Sequence, residues 1–133
     1  MKIILDTNVL ISGIFFKGPP FNILKYWRDG KLELIVYEEI FKEYSLVCEK
    51  LHNKYPSIAF DEILDLILIN AHFYVPIKCK EQITIDPDDD KFIKCALAGH
   101  VKIIISGDKH LLDVNGHQGI KILNPSDFIT RYL

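Results

Sequence analysis

Apolar residues along this chain fall into two periods, and the alternation between them predicts an α/β protein. Ile3, Ile4 and Leu5 make a short buried strand over residues 2–5, and residues 33–37 read as a second. Residues 101–105 form a continuous β-branched run of the kind found in a central parallel strand, and 121–123 make a last short strand. Residues 73–77 suit a strand or an extended link. Between these runs the spacing turns helical. Residues 9–16 form an apolar helical turn behind Asp6, Thr7 and Asn8, which offer capping side chains. Beyond Gly18-Pro19-Pro20, the residues Phe21, Leu24, Lys25, Trp27 and Arg28 continue at helical spacing until Gly30. Ile40, Tyr44, Val47 and Leu51 form the apolar stripe of a helix over 38–51, which is expected to pair as a hairpin with a helix over 60–71. The turn at 85–88 leads to a helix at 89–98 closed by Gly99, a helical turn follows Asp108 through Leu112, and Pro125 opens a terminal helix. With no repeat, low-complexity tract or linker, the pattern predicts a three-layer α/β/α fold around a central, mainly parallel sheet, in one domain spanning residues 1–133.

Composition narrows the setting. Eighteen acidic residues against sixteen basic ones leave a net charge of −2, so no global positive field draws in nucleic acid or an anionic membrane, and any such contact is local. Asp6 interrupts the first apolar run well short of the ~7–15 residues of a signal-peptide core. Residues 63–71 are too short, and too polar at Asp65 and Asn70, to cross a bilayer. Cys48, Cys79 and Cys95, odd in number and widely spaced, suit reduced, buried thiols in the cytoplasm rather than a disulfide framework.

Four acids, Asp6, Glu43, Asp90 and Asp108, fall where strands end or helices begin, the edge at which such sheets gather ligands. Carboxylate oxygens are hard donors suited to Mg²⁺ or Mn²⁺, and a cage of them presents a divalent ion to a phosphodiester. Each acid also has a plainer use. Asp6 can start a helix, although Thr7 and Asn8 can do the capping and leave its carboxylate at the strand tip. Glu43, three residues after Ile40 and four before Val47, borders the apolar stripe, where a carboxylate needs a partner. Glu38 and Glu39 lie farther round that helix and suit solvated charge. Asp86, Asp88, Asp89 and Asp90 form a dense cluster that a helix N-terminus favours on electrostatic grounds alone. Asp90 lies toward the buried edge, Asp89 shares a face with Phe92, Ile93 and Ala96, and either can coordinate. Asp108 follows Ser106-Gly107, where the glycine allows a tight backbone and the Ser106 hydroxyl can bind a ligand or water; an Asp turn is the plain alternative. Two carboxylates ~5 Å apart at an effective dielectric of ~20 repel by ~3 kcal/mol, so a converging set takes up a proton or a cation. A divalent cation is the simpler resolution.

Other chemistries fit less well. Ser106, Asp108 and His110 supply triad residue types but crowd into one turn without a G-x-S-x-G elbow. Cys48 and His52 share a helix, yet two ligands without a second pair seldom hold zinc. There is no P-loop and no dinucleotide fingerprint, and the paired early acids of a phosphate-accepting receiver domain are missing.

Leu5-Asp6-Thr7-Asn8-Val9-Leu10, Glu43-Tyr44, the run from Asp86-Pro87 to Lys91-Phe92, and Ser106-Gly107-Asp108-Lys109-His110-Leu111-Leu112 together resemble the PIN domain family over nearly the whole chain. The likeness is nearest to its small single-domain prokaryotic branch, toxins of toxin–antitoxin pairs. This resemblance implies a ribonuclease of single-stranded RNA in which Asp6, Glu43, Asp90 and Asp108, in that order, bind Mg²⁺ or Mn²⁺. Asp90 is preferred to Asp89 because its spacing to Asp108 follows the family pattern, and Ser106 stands where the family commonly has Thr or Ser. Lys91 and Lys109, directly after proposed ligands, are candidates for the RNA phosphates. An antitoxin and a homodimer, with Phe15, Phe16 and Trp27 as candidate contacts, are the implied partners. The alternative is a catalytically silent binding module that keeps the fold and acts through a nucleic acid or a protein such as an antitoxin peptide across the cleft.

Overall fold

A computed structural model describes residues 1–74 and 89–133. In chain order it runs β1 (Lys2–Leu5), α1 (Thr7–Phe15), α2 (Pro19–Arg28), β2 (Glu33–Tyr37), α3 (Glu38–Lys54), α4 (Phe60–Asn70) and β3 (His72–Tyr74). It resumes with α5 (Asp90–Ala98), β4 (Ile103–Ile105), α6 (Lys109–Leu112), β5 (Lys121–Leu123) and α7 (Pro125–Tyr132). The five strands form one sheet in the order β3-β2-β1-β4-β5, every pairing parallel. Helices cover it in the three-layer α/β/α arrangement that the alternating pattern predicts.

Parallel strands covered on both faces need apolar residues along their covered length, and the central strands have them: Ile3, Ile4, Leu5, Leu34, Ile35, Val36, Ile104 and Ile105 are all wholly buried. The chain leaves β1 for β2 and β3 on one side, then crosses to β4 and β5 on the other. The strand order therefore reverses between β1 and β4, whose registers pair Ile4 with Ile104 and Leu5 with Ile105. Outside the carboxyl ends of two such strands lies the crevice in which open α/β sheets bind ligands. Asp6 and Asp108 follow those two strands.

Several boundaries differ from the sequence expectation for identifiable reasons. Helix α1 begins at Thr7 rather than residue 9, because the Asp6 carbonyl already accepts the N–H groups of Val9 and Leu10 at 3.0 and 3.2 Å. Strand β4 begins at Ile103, since the Val101 N–H turns back to the Ala96 carbonyl at 2.8 Å and closes α5. The buried stripe of α3 is Ile40, Tyr44 and Cys48, which replaces Val47 with its neighbour. Strand β3 starts at His72, and residues 75–77 of the expected strand lie outside the described residues. Helices α3 and α4 pack together, as their apolar faces require.

Trp27 belongs to the core at 6% exposure, whereas Phe16 is exposed and Phe15 packs on Tyr55 and Phe60. Gly13 permits the close packing of α1 on α2: a Cβ there would sit 2.5 Å from Leu24 Cδ1 and 2.9 Å from the Pro20 carbonyl oxygen. Cys48 and Cys95 are buried free thiols, and burial pushes them up to about 11 and about 12, so neither is a thiolate near neutral pH. Cys79 lies outside the described residues. No described helix is long and apolar enough to cross a membrane.

Candidate metal centre

The site is built around a single turn of backbone. Asp6 ends β1 by donating its N–H to the Ile105 carbonyl at 2.9 Å, and its own carbonyl starts α1. Its backbone thus joins two strands and a helix, while its side chain makes no capping bond. The carboxylate is instead held from β4: Ser106 Oγ donates to Asp6 Oδ2 at 2.7 Å. Ser106 is wholly buried, and its N–H donates to the Leu123 carbonyl at 2.9 Å, which ties the residue to β5. The same hydroxyl oxygen accepts the Asp108 N–H at 2.9 Å, and Asp108 Oδ1 accepts the His110 N–H at 2.7 Å to cap α6.

Helix α3 grips the same turn from the other side with two consecutive residues. Tyr44, wholly buried, donates its hydroxyl hydrogen to the Leu5 carbonyl. Thr7 Oγ1 donates to Glu43 Oε2, and Lys91 Nζ lies 2.8 Å from Glu43 Oε1. The residues on either side of Asp6 are therefore both fastened to α3. Asp90, at the start of α5, is buried at 3% exposure, and Asp89 stands at the N-cap. Asp86 and Asp88 lie outside the described residues. Lys109 is exposed, whereas the Lys91 side chain is only 11% exposed and turns inward to Glu43.

Electrostatics follows from this crowding. Burial raises the pKa of Asp6 above its ordinary 3.8; the Ser106 hydrogen bond lowers it, the Asp108 and Glu43 charges raise it, and the Thr7 N–H lowers it. Among the described residues, no three His, Cys, Asp or Glu side chains stand together as a ready ligand set. Thr7 and Lys91 hold Glu43, and the His110 N–H holds one oxygen of Asp108. In donor chemistry the residues nevertheless fit a hard divalent cation. Asp108 and Glu43 bear on Asp6 as like charges at a desolvated strand tip, and a cation relieves that repulsion. A surface cavity of about 530 Å³ lies elsewhere, between α2 and α7 beside Lys25, Tyr26 and Asp29. It lacks the carboxylate cluster, and the chemistry argues for the acidic edge instead.

Sequence reasoning missed two members of this arrangement. Thr7 has the sequence character of a cap, but at the first helical position its hydroxyl is turned to Glu43. Tyr44 has the sequence character of a core residue, and the available signal is that a buried phenol needs an acceptor.

An all-parallel sheet whose strand order reverses beside a buried aspartate, with further acids on the adjoining helices, defines a class of α/β proteins that bind ligands at the strand ends. A family profile described as the PIN domain matches residues 2–110, from β1 into α6, and the chain belongs to the PIN domain family. That domain is a nuclease-type fold, generally dependent on divalent metals. A search of curated proteins gave no match.

Proposed function

We propose that the protein is a metal-dependent endoribonuclease that hydrolyses phosphodiester bonds of single-stranded RNA, as the toxin of a toxin–antitoxin pair. The observation that carries this reading is the Asp6 carboxylate, buried at the strand tip and pushed toward its protonated form by burial and by the charges of Asp108 and Glu43. Folding does not need a charge there; an ion does. Asp6, Glu43, Asp90 and Asp108 would hold Mg²⁺ or Mn²⁺, with Asp89 the alternative to Asp90. When bound, the ion supplies Lewis acidity toward the phosphodiester and a water made acidic enough to attack it.

The chain's own residues supply the rest. Ser106 orients the Asp6 carboxylate, and its buried hydroxyl couples that carboxylate to the Asp108 backbone. Tyr44 and Thr7 hold the turn against α3, so that the donors stay on one edge. With a net charge of −2, RNA contact is local, and the exposed Lys109 beside Asp108 suits the phosphate backbone. An antitoxin and a second copy of the chain are the partners this reading brings with it.

The test is an end-labelled single-stranded RNA incubated with wild type, Asp89→Asn or Asp90→Asn protein, first with Mn²⁺ and then with excess EDTA. Cleavage by wild type only in Mn²⁺, and its loss in one of the two variants, is expected and decides the third ligand. Absence of both cleavage and Mn²⁺ uptake by wild type overturns the reading in favour of a binding module.

A further inference from the structure

Both oxygens of Glu43 are engaged by groups of its own chain. Oε2 accepts the Thr7 hydroxyl, and Oε1 lies 2.8 Å from Lys91 Nζ. The Lys91 ammonium also lies 5.4 Å from the centroid of the buried Phe92 ring, so it is held by a carboxylate near an aromatic ring instead of being fully solvated. The ion pair bridges α3 and α5, the two helices that carry Glu43 and Asp90.

An ammonium within 3 Å of a carboxylate oxygen performs the neutralisation that a bound metal would perform. A divalent ion on the same oxygen would meet that ammonium as a like charge, so the two cations compete for Glu43. We propose that Lys91 is the resident counter-ion of the acidic edge: it neutralises Glu43 in the metal-free protein, must leave Glu43 before a divalent ion binds there, and thereby sets the affinity for that ion. The inference rests on the reading of this edge as a divalent-metal centre.

The experiment is calorimetric titration of Mn²⁺ alone into wild type, Lys91→Met and Lys91→Arg proteins, each first shown to be folded by circular dichroism. Lys91→Met is expected to bind Mn²⁺ about fivefold more tightly, which corresponds to ~1 kcal/mol for a partly exposed ion pair. Lys91→Arg keeps the charge and is expected to stay near wild type. The metal-free Lys91→Met protein should also melt at a lower temperature and gain more from added Mn²⁺ than wild type does. If wild type binds Mn²⁺ and Lys91→Met binds it no more tightly, the counter-ion proposal is overturned and the metal centre stands; no uptake by any of the three overturns both. A second measurement keeps the question open to refutation should Lys91→Met not fold. The ¹⁵Nζ ammonium signal of Lys91 in wild type, protected while the pair is closed, should lose its protection at saturating Mg²⁺, and retained protection overturns the proposal.

Discussion

The β1–α1 and β4–α6 junctions are built from the same parts and use them differently. Each follows a wholly buried stretch of a paired central strand with an aspartate at the helix N-cap. Asp108 caps in the ordinary way, its carboxylate accepting the His110 N–H, and it is half-buried. Asp6 caps nothing with its side chain, is 5% exposed, and is held from the other junction by Ser106. A capping carboxylate is rewarded by the backbone it serves, whereas a desolvated one among like charges is carried against the interest of the fold. Two aspartates at matching topological positions therefore differ in what their carboxylates do for the fold: Asp108 caps a helix, and Asp6 does not.

Substitution at the buried β1–α1 junction should change activity most. If Asp6 holds the ion, Asp6→Asn removes several kcal/mol of transition-state stabilisation, on the order of a thousandfold in cleavage rate. Its effect on the metal-free fold runs the other way. Because the pKa of Asp6 is raised from 3.8, its contribution to stability is greatest below 3.8 and is lost as pH rises through the raised value. Metal-free Asp6→Asn should therefore melt above wild type at neutral pH, with the difference shrinking as pH falls toward 3.8. Paired melting curves across that interval check the sign, and a variant less stable than wild type at neutral pH would contradict it.

A smaller effect is expected at the link between the junctions. Ser106→Ala removes a hydrogen bond to a buried carboxylate and the acceptor of the Asp108 N–H, a loss of ~1–3 kcal/mol in stability. Since that bond lowers the pKa of Asp6, its loss should raise it further and move the acidic limb of the pH–rate profile to higher pH. Ser106→Thr keeps the hydroxyl and should restore the limb; an unmoved limb in the alanine variant would detach Ser106 from Asp6.

Much of this was legible in the sequence. The strands β1, β2 and β5 follow from their apolar runs, each opened by an exposed charged residue, because the covered part of a strand takes apolar residues on both faces. Strand ends and stripe borders are positions that periodicity can identify, and Asp108 and Glu43, picked out that way, lie near enough to Asp6 to raise its pKa. What stayed hidden depends on contacts far apart in sequence. Whether Lys91 faces solvent or Glu43 depends on how α5 packs on α3, and no local pattern encodes that. The bond from Ser106 to Asp6 spans 100 residues and exists because β1 and β4 are neighbours in the sheet. Asp89 and Asp90 sit side by side at one helix start, where N-terminal charge preference obscures any finer choice.

At the capping junction, β4–α6, the cost in stability should be least. The β5–α7 junction supplies a reference with no acid cluster: Asn124 Oδ1 accepts the Asp127 N–H at 2.8 Å and caps α7. Asn124→Ala and Asp108→Ala should each cost ~1 kcal/mol, the ordinary loss of a cap. Asp108→Asn should cost only a few tenths of a kcal/mol, because Asn and Asp cap about equally well. Yet Asp108→Asn also removes a negative charge that raises the pKa of Asp6, so that pKa should fall, opposite in direction to the Ser106→Ala effect. Carboxyl ¹³C titration of Asp6 in the metal-free proteins reads this directly. A fall in Asp108→Asn with no change in Asn124→Ala would separate charge from capping at a single position. Equal behaviour in the two would mean that Asp108 only starts a helix, and that the two junctions differ less than their geometry indicates.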